Sequence, residues 1–578
     1  MQIASPLTEK THNKPLWFFL IFVMAALTRA YYLTDYQYNP FFMYVYMHTD
    51  SYDYYLGAHN FAAGDLLALS PSNRFSPLYT YFVGLFFKIT GQDLIAFWFF
   101  QFTMGIFTVL LVYRVALELF NHRAAIFGAI LYNFYGPALM YEGVMLRASL
   151  LTFLGILSLY LVIQVLKNPR NLLILAAGIS ISLFIQCRPN VALIFLLLPL
   201  LYLAPFDRKN LKLFLQIAGV ALIFFIPLLY RGWLVHGKFV LFDASGPAAL
   251  LIGNHPDYLG IGLSKEHEYP GALSMGYGEM LAVFWDRLAG QPLQMLGLYV
   301  RKLFYMFSSL EPYNNYDFLL FKKFSPLLNT PLSNFSLISS LALTGLLFQV
   351  GKGKNIKLLY GFMGGITVAI ILFYILARFR IPMVPYYAIF AGFTLDTFFF
   401  RLKQSQWIKS AQMFLVCSFL ILLFNIPEFT RGVRQSYADE LNLKIGLNLI
   451  ANKRYSQAIE PLNDLIKNNP DNRPVLRAQA LALWKTRKAR KAILVYEKLV
   501  DLIPGDAGTH FDLATLYADS ENWQKALSHM EFSERLFRKK REPHWADIAR
   551  EQVKLYTNRN KDGININCLL QNLYFWQD

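Results

Sequence analysis

The run Leu94–Leu119 reads LIAFWFFQFTMGIFTVLLVYRVALEL, and its charged side chains, Arg114 and Glu118, stand in its last two turns. A helix of ~20 apolar residues crosses the hydrocarbon core of a bilayer, and this run exceeds that length. It is one of about eleven such candidates. Leu16–Leu33 precedes it. Ala124–Met140, Ala148–Leu166, Leu172–Ile185, Val191–Leu203 and Leu211–Leu229 follow, then Leu337–Val350, Leu358–Leu376, Pro382–Phe400 and Trp407–Phe424.

The rest of the composition agrees. Of 578 residues, 55% are hydrophobic and 16% charged, and the mean hydropathy is +0.35, which excludes a soluble globular chain. The 51 Phe and 35 Tyr suit a protein whose aromatic rings line both interfaces of a bilayer. A formal charge of +17 invites a nucleic-acid partner, yet the basic residues gather between the apolar runs. Lys10/Lys14, Arg123, Lys167/Arg170, Arg208/Lys209/Lys212, Lys352/Lys354/Lys357 and Arg401/Lys403/Lys409 all fall on one side of the count. The positive-inside rule makes that side cytoplasmic. An odd number of spans then places the N-terminus in the cytoplasm and everything after residue 428 outside. No small-residue cleavage site follows Leu16–Leu33, so it reads as a retained span. Cys187, Cys417 and Cys568 make neither a CxxC pair nor a disulfide framework.

Two outer loops interrupt the spans. In the first, residues 34–93, His48-Thr-Asp50-Ser-Tyr-Asp53-Tyr54 opens a stretch that ends at Gly64. A short helix over Ser51–Ala63 puts Asp50 and Asp53 on nearly one face, beside Tyr54. A carboxylate at the mouth of a membrane bundle suits a general base. An acidic loop that merely solvates a helix end fits these residues equally well. Ser76-Pro77 then starts an amphipathic run to Gly91, expected at the interface. The second loop, residues 231–336, holds another interfacial run, Leu296–Leu310, with Arg301-Lys302 inside it.

Ionisable residues recur at the outer ends of distant spans: Glu142 with Arg147 close behind, Arg188, and the pair Arg378 and Arg380. Any one of them is explained by snorkelling. Together they converge on the face that carries Asp50, and arginine's planar fork suits a phosphate, which on that face points to a lipid-linked substrate. His48 and His59 lack a third ligand for zinc, although Asp50 with Glu142 could hold a divalent cation. No glycine-rich phosphate loop and no Ser-His-Asp or Cys-His set is present, so the energy for a reaction must arrive in the substrate.

After residue 428 the composition turns polar and periodic. Ala458, Ala492 and Ala526 are spaced by 34 residues, as are Gly446, Ala480 and Ala514, and Pro470 and Pro504. That is the tetratricopeptide signature, with about three repeats and a concave face for a protein partner or acceptor; a structural cap is the alternative.

The motifs taken in order resemble the GT-C membrane glycosyltransferases, of the protein O-mannosyltransferase and aminoarabinose lipid A transferase type. The resemblance rests on Asp50-Ser-x-x-Tyr54-x-x-x-Ala58-x-x-x-Ala62-x-Gly64, on Ser76-Pro77-Leu78-Tyr79, on Tyr141-Glu142, on Cys187-Arg188-Pro189, on Ile252-Gly253-Asn254-His255-Pro256 and on Arg378-Phe-Arg380-Ile-Pro382. It implies an all-α chain: a GT-C-like catalytic domain over residues 1–428 and a tetratricopeptide α-solenoid over 429–578, in a bacterial inner membrane with the repeats in the periplasm. It implies an inverting transfer of a sugar from a polyprenyl phosphate to a hydroxyl of a protein or glycolipid. Asp50 would be the base, Glu142 its orienter and Asp53 a supporting carboxylate. Arg378, Arg380 and Arg188 would clamp the donor phosphate, while Tyr54, His48, Asn254 and His255 would bind substrate. Two other readings stay open: a lipid-linked oligosaccharide ligase or polymerase, and a non-enzymatic envelope scaffold anchored by its spans.

Overall fold

The computed structural model describes residues 14–39, 41–42, 45, 49–69, 76–195, 208–237, 246–262, 275–312, 314–348, 356–426, 442–443, 445–447, 449–450, 453–540 and 542–562. His48, and the Val191–Leu203 candidate beyond residue 195, lie outside them. Among the described residues every regular element is helical. The chain divides into two compact units, Met1–Thr430 and Arg431–Asp578.

The first unit opens with α1 (Lys14–Tyr36), the short α2 (Asp50–Ala62) and α3 (Leu78–Thr90), and the long α4 (Leu94–Leu119). Asp93 caps α4 by accepting from the amides of Ile95 and Ala96, so its 26 residues start cleanly and rise about 39 Å at 1.5 Å each. The expected span Ala124–Met140 is instead two helices, α5 (His122–Asn133) and α6 (Gly136–Glu142). Gly136-Pro137 divides them, because proline has no amide hydrogen and disfavours helix in the residue before it. Next come α7 (Ala148–Lys167), α8 (Asn171–Cys187) and α9 (Arg208–His236). Within the second outer loop lie α10 (Gly246–Gly253), α11 (Tyr277–Gly290) and α12 (Pro292–Phe307). The unit closes with α13 (Phe335–Phe348), α14 (Ile356–Ile371), α15 (Val384–Lys403) and α16 (Trp407–Leu423).

Five described helices are long and apolar enough to cross a bilayer: Pro15–Tyr36, Leu94–Leu119, Ala148–Lys167, Arg208–Val235 and Ala377–Lys403. Five shorter apolar helices accompany them. Their polarity runs inside out. Leu222, Ile223 and Ile226 of α9 are well over half exposed, whereas Arg29, Glu142 and Arg380 are 3%, 2% and 0% exposed. Apolar flanks outside and paired charges inside are what a lipid solvent demands. Where helices meet most closely, small residues make it possible. A Cβ on Gly392 of α15 would stand 2.4 Å from the Gly128 amide nitrogen of α5. The two backbones therefore touch, as close-packed membrane helices do.

The second unit is a row of helices, α17 (Tyr455–Asn468), α18 (Arg473–Lys485), α19 (Ala489–Leu502), α20 (Ala507–Asp519), α21 (Trp523–Lys539) and α22 (Pro543–Asp562), each packed on the next. The backbone repeats every 34 residues. Lys453, Arg487 and Glu521 adopt left-handed φ values of 57°, 60° and 58° at equivalent turns. Asn472 and Asp506 cap α18 and α20 from equivalent positions. Ala458, Ala492 and Ala526 are fully buried where helices cross, and Tyr496, Leu499, Phe511 and Phe537 fill the core between them.

Candidate active site

α2 begins at Asp50, after the extended residue Thr49, so Asp50 and Asp53 occupy its first turn, where the helix dipole favours negative charge. The helix lies on α3. Tyr54 is buried there, its ring edge-on to Tyr79 with centroids 4.9 Å apart. Asp50 Oδ2 accepts a hydrogen bond from Arg378 Nη1, and the two side chains are 13% and 15% exposed. Arg378 stands in the helical turn Ala377–Arg380 that leads into α15.

Two further guanidiniums gather there. Arg188, in the break after α8, lies 3.3 Å from the centroid of the Phe379 ring, and Arg378 lies 5.1 Å from the same centroid. Arg147, just before α7, donates to the Cys187 carbonyl at 3.2 Å, which sets it beside Arg188. Tyr374 is within electrostatic reach of Arg378, Arg188, Asp50 and Arg147 alike. Asp50 and three guanidiniums are thus gathered at one place. Arg378 Nε is shielded from solvent and has no acceptor. Clustered guanidiniums with an unused donor on Arg378 are fitted to an anion.

Glu142, Arg380, Asn254 and His255 are bonded to other partners. Glu142 meets Arg29, not Asp50: Arg29 Nε and Nη2 donate to the two carboxylate oxygens at 2.9 and 2.7 Å. Arg29 Nη1 continues to Asn133 Oδ1 at 2.8 Å, and Asn133 Nδ2 to Thr28 Oγ1 at 2.8 Å. The Glu142 carboxylate fills the space opposite Gly105, where a Cβ would sit 2.2 Å from its Cδ. Its tie to the α2 helix is indirect. The Glu142 carbonyl accepts from Gln101, whose amide oxygen accepts from Tyr79, the ring that packs on Tyr54. Asp50 and Glu142 are each engaged by an arginine. Among the described residues no group of three or more His, Cys, Asp or Glu side chains could hold a metal ion.

Arg380 also departs from the expected phosphate clamp. It is fully buried, with Nη1 donating to the carbonyls of Tyr305, Met306 and Ser308 at 3.4, 3.3 and 2.9 Å. Its Nη2 reaches the Leu310 carbonyl and pairs with Glu311 at 2.6 Å. Two residues along a helical turn are ~200° apart, so Arg378 and Arg380 cannot aim at one phosphate. That signal was present in their spacing.

Asn254 is buried rather than open to a ligand. Its Nδ2 donates to Leu250 and Leu372 carbonyls at 2.8 and 2.7 Å, and its Oδ1 accepts from Tyr299 at 2.7 Å and Lys302 at 3.2 Å. Lys302 adds bonds to the Ile371 and Phe373 carbonyls, so this loop caps the C-terminus of α14. His255 is partly exposed beside Asp257, whose amide its Nδ1 faces at 3.3 Å. Sequence reasoning passed over Tyr316, which donates to Ser51 at 3.0 Å and so braces the first turn of α2.

Residues 74–231 match the family described as dolichyl-phosphate-mannose-protein mannosyltransferase, a window that contains Glu142, Arg147 and Arg188. Among solved structures the chain is similar to the oligosaccharyltransferase of Archaeoglobus fulgidus tethered with an acceptor peptide containing the NVT sequon. The identity is 16%, covering 78% of this chain and 59% of that one, with a TM-score of 0.43. It therefore spans about six tenths of that enzyme's length. It is also similar to ArnT from Cupriavidus metallidurans bound to undecaprenyl phosphate, at 12% identity over 84% and 80% of the two chains, with a TM-score of 0.42. Among curated proteins none matches this chain. The family match supports the GT-C glycosyltransferase resemblance carried by the motifs.

Proposed function

We propose that the membrane unit is an inverting glycosyltransferase that moves a sugar from a polyprenyl-phosphate carrier to a hydroxyl of a protein or glycolipid at the outer face of a bacterial inner membrane. The observation that carries this reading is the Asp50–Arg378 pair with Arg147 and Arg188 around it, assembled from four separate parts of the chain.

In the reaction the acceptor oxygen bonds to the anomeric carbon as the carbon–oxygen bond to phosphate breaks. Asp50 takes the hydroxyl proton, and the leaving electron pair goes to the phosphate, where Arg378, Arg147 and Arg188 hold the charge. A phosphate leaves without being protonated, so one base suffices. Attack opposite the leaving group inverts the anomeric centre. Because Arg378 holds Asp50, a donor phosphate that draws the guanidinium away also releases the base. Asp53, one helical turn along, adds negative charge near the developing oxocarbenium ion. In this scheme Arg147 takes the place first given to Arg380, and Glu142 supports the scaffold. The second unit reads as a tetratricopeptide platform for an acceptor or partner protein, and the positive-inside distribution supports its outward placement.

Lipid extraction of the purified protein followed by mass spectrometry tests this. A polyprenyl monophosphate, with or without its sugar, is the expected companion. Three arginines would also neutralise a diphosphate, and recovery of a lipid-linked diphosphate oligosaccharide would favour the ligase reading instead. Extracts with membrane phospholipid alone, and no transfer from any polyprenyl-phosphate sugar, would sink both.

A further inference from the structure

Between α12 and α13 the second outer loop contains Glu311-Pro-Tyr-Asn314-Asn315-Tyr-Asp317, a polar run in apolar surroundings. It is fastened on both sides of its centre. Glu311 pairs with Arg380 at 2.6 Å, and the Pro312 carbonyl accepts from the Ala377 amide at 2.8 Å, next to Arg378. Tyr316 donates to Ser51 at 3.0 Å, next to Asp50, and Asp317 caps the following turn through the Leu319 amide at 2.6 Å. The two tandem asparagines lie between these anchors. Asn314 is two residues from both Pro312 and Tyr316, so its Cα is within about 7 Å of each.

The asparagines are what this bracing leaves unexplained. Asn314 Oδ1 and Asn315 Nδ2 are shielded from solvent and have no hydrogen-bond partner. A buried acceptor and a buried donor on consecutive residues, both unused, cost stability with no return unless a ligand supplies the complement. Neighbouring hydroxyls of a sugar ring do so: one donates to Asn314 Oδ1 while the next accepts from Asn315 Nδ2. A phosphate offers only acceptors and would leave Asn314 Oδ1 unpaired. An apolar chain would leave both.

We infer that Asn314 and Asn315 form the subsite that recognises the hydroxyls of the donor sugar, beside the base and the phosphate-binding arginines. This rests on the donor reading given above and deepens it. A site built to bond hydroxyls discriminates strongly against a carrier that lacks them, so the subsite would separate the charged donor from the spent carrier.

The test uses the full chain in detergent and measures binding of undecaprenyl phosphate and of the same carrier bearing mannose, glucose or galactose. Wild type is expected to prefer at least one glycosylated carrier. Asn314→Ala, Asn315→Ala and the near-isosteric Asn315→Asp should each cut that preference by about tenfold or more, with affinity for bare undecaprenyl phosphate kept. Thermal midpoints guard against misfolding, and the isosteric variant covers the case where an alanine fails to fold. If wild type prefers a glycosylated carrier and the variants keep that preference, or lose affinity for both carriers alike, the subsite is wrong and the donor reading stands. Wild type that binds every carrier, with no preference for any sugar, also overturns the subsite alone. Wild type that binds none of the carriers overturns both.

Discussion

Arg378 donates to the carboxylate of Asp50 across 328 residues of sequence. The proposed base and the proposed phosphate ligand are thus one ion pair. A carboxylate so engaged is not free to take a proton, and releasing it requires another anion for the guanidinium. Substituting Asp50 by Asn keeps the shape of the side chain and removes its basicity. Transfer is expected to fall by roughly 10²–10⁴-fold, the usual worth of a general base, while binding of undecaprenyl phosphate is unchanged or tighter because a competing anion has gone. Sugar transfer in proteoliposomes and carrier binding in detergent check the two halves separately. Unchanged transfer at equal expression would remove Asp50 from the chemistry.

The Arg29–Glu142 pair makes a different prediction. Both side chains are 3% exposed and bonded through two nitrogens and two oxygens. Breaking one partner leaves an uncompensated buried charge, typically costing about 3–5 kcal/mol, whereas replacing both by apolar residues is often neutral. Arg29→Met and Glu142→Met should each lower the thermal midpoint of the purified protein sharply, and the double variant should recover most of the loss. If Glu142 instead orients the acceptor, the double variant will be stable and inactive, with the rate falling far more than stability.

This contrast shows what could be read from the chain alone. Spans such as Leu94–Leu119 were legible because a bilayer imposes length and composition on one continuous segment. Asp50 stood out as a candidate because it follows the first span within a recognisable string. Glu142 was found as an expensive charge, but its partner was not, since Arg29 lies 113 residues away inside α1 and nothing local marks a pair. Arg378 and Arg380 read as one clamp in the sequence, although helical geometry sets them ~200° apart. The divided span at Gly136-Pro137 and the polar run around Asn314 were both visible as composition; their meaning came from which elements they touch.

Helix packing supplies a third prediction. A Cβ on Gly392 would stand 2.4 and 2.5 Å from the Gly128 nitrogen and the Ala124 oxygen, backbone atoms that cannot swing aside. Gly392→Ala must push α5 and α15 apart, at about 1–3 kcal/mol by analogy with overpacked cores. On Gly128 the nearest atom to a new Cβ is 3.1 Å away, so Gly128→Ala should cost less. Gly364 of α14 has nothing within 4 Å, and alanine there should be neutral or gain up to about 1 kcal/mol from helix propensity. Thermal midpoints in one detergent should rank the three in that order, and a Gly392→Ala protein as stable as wild type would contradict the close approach of the two helices.

The last prediction concerns the second unit and pH. Burial pushes the Asp512 carboxyl up to about 7; Arg477 and the Tyr496 hydroxyl pull it down, and Asp506 pushes it up. Between pH ~4 and ~7 the unfolded chain has lost this proton and the folded chain keeps it, so the folded state binds more protons and Asp512 makes the unit less stable as pH rises through that window. His510 and His529, hydrogen-bonded Nδ1 to Nδ1 at 3.0 Å and both held below the usual histidine range by burial, act in the opposite sense. Their neutral forms are favoured on folding, so they withdraw stability as pH falls below ~6.5. The two effects overlap, and Asp512→Asn separates them. Relative to wild type, the variant should gain stability progressively from pH 4 to 7, reaching a few kcal/mol at neutrality, on the order of what a shift of this size is worth. Hydrogen exchange of peptides from residues 473–539 in the full chain, followed against denaturant at several pH values, measures the difference directly. A gap between variant and wild type that does not grow with pH would mean that Asp512 is ionised in the folded unit.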